Sequence, residues 1–184
     1  SRMPTDAAVD AKFTIEPFDA KSQDRTAFSC GVPQIDNYLK LTAKKGSKAD
    51  VVRIWVVLDD DRRTLGFYGI NMHAVVAEDM PDELARKAPR HGMLPAAFIS
   101  MIGVDQTMQV KGLGSALLAD ALNRIGRVSD EIGTCAVLLD VFDCGNPEIV
   151  ARRKAYYEAF GFTPLPDQPL RLFMPIQTVR ALSG

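Results

Sequence analysis

Hydrophobic and polar positions alternate along this chain in blocks that change period between its two halves. Residues 13–18 (FTIEPF) read as an opening strand. In residues 33–45, Ile35, Tyr38, Leu39 and Leu41 alternate with Asp36 and Lys40, which predicts an amphipathic helix. Residues 51–58 (VVRIWVVL) form a continuous apolar block typical of a buried strand. The polar turn 59–63 follows, and then a returning strand at 64–72 (TLGFYGINM). Residues 79–92 are polar and contain Pro81 and Pro89, so they predict a short helix within a longer excursion.

Residues 95–104 (PAAFISMIGV) predict a central strand. The strongest helical period runs over 111–133, with Leu118, Leu122, Ile125, Val128 and Ile132 spaced by three and four. A strand at 134–142 comes next, then a helix at 147–160 that opens on Pro147 and is closed by Gly161. Residues 170–174 close the sheet. The order predicts an α/β protein of the α+β kind, with an antiparallel first half and a β–α–β–α–β second half.

Composition narrows the function classes. Apolar residues make up 47% of the 184, which supports a packed core, and the formal net charge is -1. That balance gives no support to an overall nucleic-acid or membrane-surface footprint and leaves room for a local basic patch. No apolar run is long enough to cross a bilayer. Residues 1–12 show no signal-peptide pattern. They are expected to form a disordered tail, with Ser1-Arg2 ahead of Met3 read as a cloning scar, and 13–184 a single domain. The three cysteines, Cys30, Cys135 and Cys144, are odd in number and lack metal-site spacing. The only histidines are His73 and His91. A reducing cytoplasm and no metal are the expectation.

The chemistry concentrates in residues 104–115. There a buried strand gives way to a glycine-containing loop that opens the long helix. A helix start offers N–H groups outside the ladder and the positive end of the dipole, and glycine lets a phosphate approach the backbone. Lys111 adds charge, and Gln109 carries an amide able to donate. The Q-x-x-G-x-G run Gln109-Val110-Lys111-Gly112-Leu113-Gly114 has neither the G-K-[ST] of a Walker loop nor the G-x-G-x-x-G of a dinucleotide fold.

This loop resembles the Q/R-x-x-G-x-G/A motif of the GNAT acetyltransferase superfamily. Tyr156-Tyr157-Glu158-Ala159-Phe160-Gly161-Phe162 is similar to that family's downstream F-Y-x-x-x-G-F element. The resemblance spans about residues 13–175. It implies the GNAT fold: a mixed central sheet, splayed parallel strands at the cofactor site, and flanking helices. It implies acetyl-CoA as cofactor, held by Ile102, Gly103, Val104, Gln109, Val110, Lys111, Gly112, Leu113, Gly114 and Ser115. It makes Tyr157 the catalytic residue, a proton or hydrogen-bond donor to the leaving thiolate, and Tyr156 a packing residue. Residues 143–154 (DCGNPEIVARRK) are longer than the family's usual linker, which puts in doubt whether Asn146 takes the family's asparagine position.

No strong general base stands out; Glu78, Asp79 and His73 are weak candidates. That favours an acceptor with a low pKa. An α-amine near pKa 8 is about a tenth neutral at pH 7, whereas a lysine near 10.4 is almost wholly charged. The segment Phe28-Ser29-Cys30-Gly31-Val32-Pro33-Gln34-Ile35-Asp36-Asn37-Tyr38-Leu39 resembles the F-x-C-G-x-x-x-L-D-x-[FY]-L segment of GNAT toxins from type II toxin–antitoxin modules, with Ile35 for leucine. Leu65-Gly66-Phe67-Tyr68-Gly69-Ile70 is similar to their V-x-G-Y-Y-x-L strand. That resemblance implies transfer to the α-amine of aminoacyl-tRNA, a small antitoxin partner and a homodimer. Lys44, Lys45, Arg152, Arg153 and Lys154 are the candidate acceptor or tRNA contacts, with Arg62 and Arg63 among further basic pairs. A small-molecule or protein amine is the alternative acceptor, and a non-catalytic CoA-binding regulator the alternative of another class.

Overall fold

The computed structural model describes residues 13–109 and 111–183. The tail 1–12, with its reading as a disordered segment and cloning scar, and the cofactor candidate Val110 lie outside the described residues. Seven strands form one mixed sheet in the order β1-β2-β3-β4-β5-β7-β6. They are β1 (Thr14–Pro17), β2 (Arg53–Leu58), β3 (Thr64–Val76), β4 (Met93–Val104), β5 (Ala136–Asp140), β6 (Thr163–Leu165) and β7 (Gln168–Pro175). The helices are α1 (Pro33–Asn37), α2 (Ala43–Lys48), α3 (Asp82–Ala85), α4 (Leu113–Val128), α5 (Pro147–Phe160) and α6 (Ile176–Leu182). Packing divides the chain into two compact units. One runs up to Ile70 and includes Met101–Asp120; the other is Asn71–Ser100 with the residues from Ala121 on.

In the first unit, β1 pairs antiparallel with β2, and β2 with β3. The predicted 33–45 helix is interrupted: Tyr38–Thr42 are π-helical, and the Ala43 N–H bonds to the Tyr38 carbonyl. Ile35, Leu39 and Ala43 are buried, but Leu41 is 76% exposed, against the expectation that it joins the apolar face. Two residues on from Leu39, Leu41 stands about half a turn round the helix axis and so points away from the core. Phe28 packs edge-on to Phe67 at 5.6 Å, and Tyr38 stacks on Phe67 at 6.2 Å. The Tyr68 hydroxyl donates to Asp120.

In the second unit, β5 runs parallel to β4 and antiparallel to β7, which pairs in turn with β6. The β4–β5 ladder runs only from Ala97↔Val137 to Ile99↔Leu139, although β4 continues to Val104. Helix α4 stops at Val128, short of the predicted Gly133, and Val128 and Ile132 are 46% and 56% exposed. Its buried stripe is instead Leu113, Leu117, Leu118, Ala121, Leu122 and Ile125, because the apolar period at 128 and 132 outlasts the helix. On α5, Asn146 caps the N-terminus by accepting from the N–H groups of Glu148 and Ile149 at 3.1 and 3.4 Å. Gly161 closes the helix at φ 122. Strand β6 and helix α6 have no counterpart among the elements expected from the sequence.

Candidate functional site

The glycine loop is braced from a distant part of the chain. After β4, Asp105 caps the 3-10 turn Gln106–Met108: its carboxylate accepts from Thr107 N–H at 3.0 Å and from the N–H of Ser29 at 3.0 Å. Burial works to raise the Asp105 pKa, but these hydrogen bonds prevail and hold the carboxyl below its ordinary value. Gln106 N–H donates to the Ser29 carbonyl at 2.8 Å. Gln109 was expected to offer its amide to phosphate. It donates instead to the carbonyls of Cys30 at 2.7 Å and Val104 at 3.0 Å, because the closing loop brings those acceptors onto it. Gly31 has φ +90, and a Cβ there would come 2.8 Å from Gln106 Nε2. The Phe28–Leu39 segment therefore supports the loop as well as opening a helix. Cys30 is buried, which pushes its thiol up to about 12 with Asp36 adding to the effect.

The other loop residues sort by role. Gly103 is buried, and a Cβ would meet Ile35 Cγ2 at 2.8 Å and Phe67 Cε1 at 3.0 Å, so close packing requires a glycine there. Ile102 and Val104 are half-buried on the last turn of the strand. Leu113 puts its side chain in the core, leaving only backbone for a ligand. Gly112 is exposed with φ +78, and nothing lies within 4 Å of where its Cβ would be. Lys111 is exposed, and Gly114 and Ser115 are half-buried at the start of α4. Open backbone, a cation and the head of a 16-residue helix fit a phosphate group.

Tyr157 is half-buried on α5, 5.5 Å from the Tyr156 ring and 6.3 Å from Phe162. Burial pushes its phenol up to about 12, Tyr156 adds to that, and Arg153 opposes it. Tyr156, expected to pack, meets the Tyr157 ring at 5.5 Å and the Phe160 ring at 6.5 Å and is 41% exposed.

The basic candidates separate. Lys44 and Lys45 are exposed on α2, and Arg152 is exposed on α5. Arg153 has a buried Nη1 without a hydrogen-bond partner, and Lys154 lies 3.9 Å from Glu158. Arg62 is paired with Glu16 at 2.7 Å and Arg63 with Asp59 at 2.8 Å. Sequence reasoning missed Asn71 and Ser100, whose Oδ1 and Oγ are buried without a partner. The available signal was a polar residue within each of two largely apolar strands. Among the described residues there is no group of His, Cys, Asp and Glu able to hold a metal, and no helix long and apolar enough to cross a membrane.

No family model matches the chain. It is 50% identical over 175 residues to “Probable toxin TacT” of Sinorhizobium fredii (strain NBRC 101917 / NGR234), covering 95% of this chain and 97% of the relative. It is 32% identical over 163 residues to “tRNA-acetylating toxin” of Mycobacterium tuberculosis (strain ATCC 25618 / H37Rv), covering 89% and 92%. The chain belongs to this family of acetyltransferase toxins. Among solved structures, AtaT complexed with acetyl-methionyl-tRNAfMet superposes with a TM-score of 0.81 at 20% identity over 94% of this chain and 99% of that one. A mutant AtaT bound to the C-terminus of the antitoxin AtaR and acetyl-CoA gives 0.76 at 18% over 93% and 98%. Both confirm for the acetylating-toxin family member described here the GNAT fold that its loop and tyrosine element implied.

Proposed function

We propose that this chain is a toxin that acetylates the α-amine of aminoacyl-tRNA with acetyl-CoA in the cytoplasm, countered by a small antitoxin. The observation that carries the reading is the 32% identity to a tRNA-acetylating toxin over 89% of the chain. We treat residues 13–184 as one catalytic domain. Acetyl-CoA supplies an activated acetyl thioester; the amine nitrogen bonds to the acetyl carbon as the carbon–sulfur bond breaks, and the amine's proton ends on sulfur. The backbone of residues 111–115 holds the pyrophosphate, with Lys111 adding charge. Gln109 acts indirectly, by fixing the loop to Cys30 and Val104.

Tyr157 donates a hydrogen bond to the leaving sulfur and keeps its proton. A phenol at about 12 would transfer to a thiolate, whose thiol has pKa about 8.5, uphill by roughly 5 kcal/mol. A hydrogen bond that strengthens as charge develops avoids that cost. The test is acetyl transfer to a pool of charged tRNA, read as blocked α-amines, together with expression in a host that lacks an antitoxin. Transfer and growth arrest are expected. A harmless protein that leaves charged tRNA untouched while acetylating a free amine would overturn the acceptor.

A further inference from the structure

Each residue of the strand segment 65–68 touches the cofactor loop or an element that flanks it. The Leu65 carbonyl accepts from the Asp105 N–H at 2.8 Å, where the chain leaves β4. Gly66 and Tyr68, two apart on β3, share one face of the strand, and Phe67 takes the other. Phe67 stacks with Tyr38 and meets Phe28 edge-on, beside Gly103. The Gly66 face meets α4. A Cβ on Gly66 would come 2.8 Å from Leu117 Cδ1, 3.5 Å from Leu113 Cδ2 and 3.3 Å from the Gly103 carbonyl oxygen. On that same face the Tyr68 hydroxyl donates to the Asp120 carboxylate. All of these residues belong to the first unit.

Leu113, Leu117 and Asp120 fall at i, i+4 and i+7, one stripe of α4. The stripe is apolar where it meets Gly66 and polar at Asp120. Leu113 and Leu117 packed on a bare glycine backbone set how close α4 comes to β3. They leave it free to slide or roll, because apolar contact has no direction. A hydrogen bond does have direction, and Tyr68 is fully buried, so its hydroxyl needs an acceptor within the protein. One residue of helix is about 1.5 Å of rise and about 100° of turn. A slip of that size carries Asp120 out of reach of Tyr68. Gly66 thus sets the distance between strand and helix, and the Tyr68–Asp120 bond sets the helix's height and roll.

We infer that Tyr68 and Asp120 are positioning residues for acetyl-CoA: their bond fixes α4 so that the backbone N–H groups of residues 111–115 are aimed at the pyrophosphate. The Ala116 N–H bonds to the Gly112 carbonyl at 3.1 Å, and this bond ties the loop to the helix whose position the pair sets. Asp120 lies about 10 Å of helix beyond Leu113, so it acts through the helix and not on the ligand. The inference rests on residues 111–115 holding the pyrophosphate, as proposed above, and is independent of the acceptor.

The test uses Tyr68→Phe, Asp120→Ala and Asp120→Asn in the full chain. Tyr68→Phe keeps the buried ring, and Asp120 is only half-buried, so neither position opens a large cavity. Calorimetry should show acetyl-CoA affinity reduced about three- to tenfold in Tyr68→Phe and in Asp120→Ala, the range for one lost hydrogen bond. Asp120→Asn keeps an oxygen acceptor and should return affinity to within about twofold of the parent. Tyr68→Phe combined with Asp120→Ala should bind no more weakly than the weaker single variant, because both remove the same bond. S-acetylpantetheine has the same thioester arm and no phosphate. Its affinity, read by nuclear magnetic resonance titration, should stay unchanged in every variant. A merely structural role would lower the melting temperature and leave acetyl-CoA affinity alone, and that result would overturn the inference. Equal losses for both probes would overturn it too. Gly112→Val separates the two levels. If it weakens acetyl-CoA binding while Tyr68→Phe and Asp120→Ala do not, this pair alone is wrong. If Gly112→Val also leaves acetyl-CoA binding unchanged, the loop reading falls and the role of the pair with it.

Discussion

At Tyr157, motif and environment pull in different directions. The motif suggests a proton donor, but a phenol pushed up to about 12 is a poor acid. Tyr157→Phe keeps the ring contacts with Tyr156 and Phe162 and removes only the hydroxyl. Turnover should fall at least about tenfold while acetyl-CoA affinity holds, as expected for an interaction made mainly in the transition state. Steady-state kinetics beside calorimetry check it. The same residue marks alkaline stability. Its folded pKa lies above the unfolded value of about 10, so as pH rises past 10 the unfolded chain loses this proton first. Its stabilising contribution is intact below pH 10 and drains away up to about 12. Absorbance of ionised tyrosine should show a late-titrating phenol that Tyr157→Phe lacks. If the phenol that Tyr157→Phe removes titrates early instead, Tyr157 is an exposed residue.

At the scale of elements, two glycines in one motif region answer to different forces. Gly112 holds φ +78 with open space beyond its Cα, so Gly112→Val costs backbone strain and blocks approach to the loop without disturbing the core. Acetyl-CoA affinity should drop at least about tenfold by calorimetry, with a small change in melting temperature. Gly103 faces Ile35 and Phe67 at 2.8 and 3.0 Å, so Gly103→Ala overpacks and should destabilise the fold by about 1–3 kcal/mol in denaturant melts. If the two variants exchanged these effects, the assignment of roles would be wrong. Gly112 was legible as a motif position and Gly103 as a residue of the strand before it, but only the fold separates the open glycine from the packed one. The elements were legible where periodicity was strong, as in β2, β3, β4 and α4. They were less so at Leu41, which stands two residues from the buried Leu39 and so on the opposite face, or where an apolar period ran past a helix end at Val128 and Ile132. The bracing of Gln109 by Cys30 joins residues 79 apart in sequence, and no local pattern encodes such a bond. Helix α6 left a readable trace in Ile176 and Val179 three residues apart, both buried, behind Pro175.

Across the whole molecule, the charge total and the proposed acceptor have to be reconciled. A net charge of -1 from 22 basic and 23 acidic residues cannot attract tRNA as a whole, so phosphate contacts must come from cations with no acidic partner of their own. Pairing removes several candidates: Arg62 and Arg63 are held by Glu16 and Asp59, and Lys154 lies beside Glu158. Arg153 buries its Nη1, and its charge acts on Tyr157. Lys44, Lys45 and Arg152 remain exposed. Each phosphate neutralised contributes about 0.7–0.9 to the slope of log affinity against log salt. Lys44→Gln with Lys45→Gln should therefore flatten the slope for charged tRNA by about 1.5, and Arg152→Gln by a little under 1. Lys154→Gln should change it less, because Glu158 already screens that charge. Acetyl-CoA affinity should hold throughout, since none of these side chains belongs to the loop. Filter binding across a salt series reads all four slopes. Equal slopes in every variant would remove α2 and α5 from the tRNA surface, and a steeper loss at Lys154 than at Arg152 would show that the ion pair opens to meet phosphate.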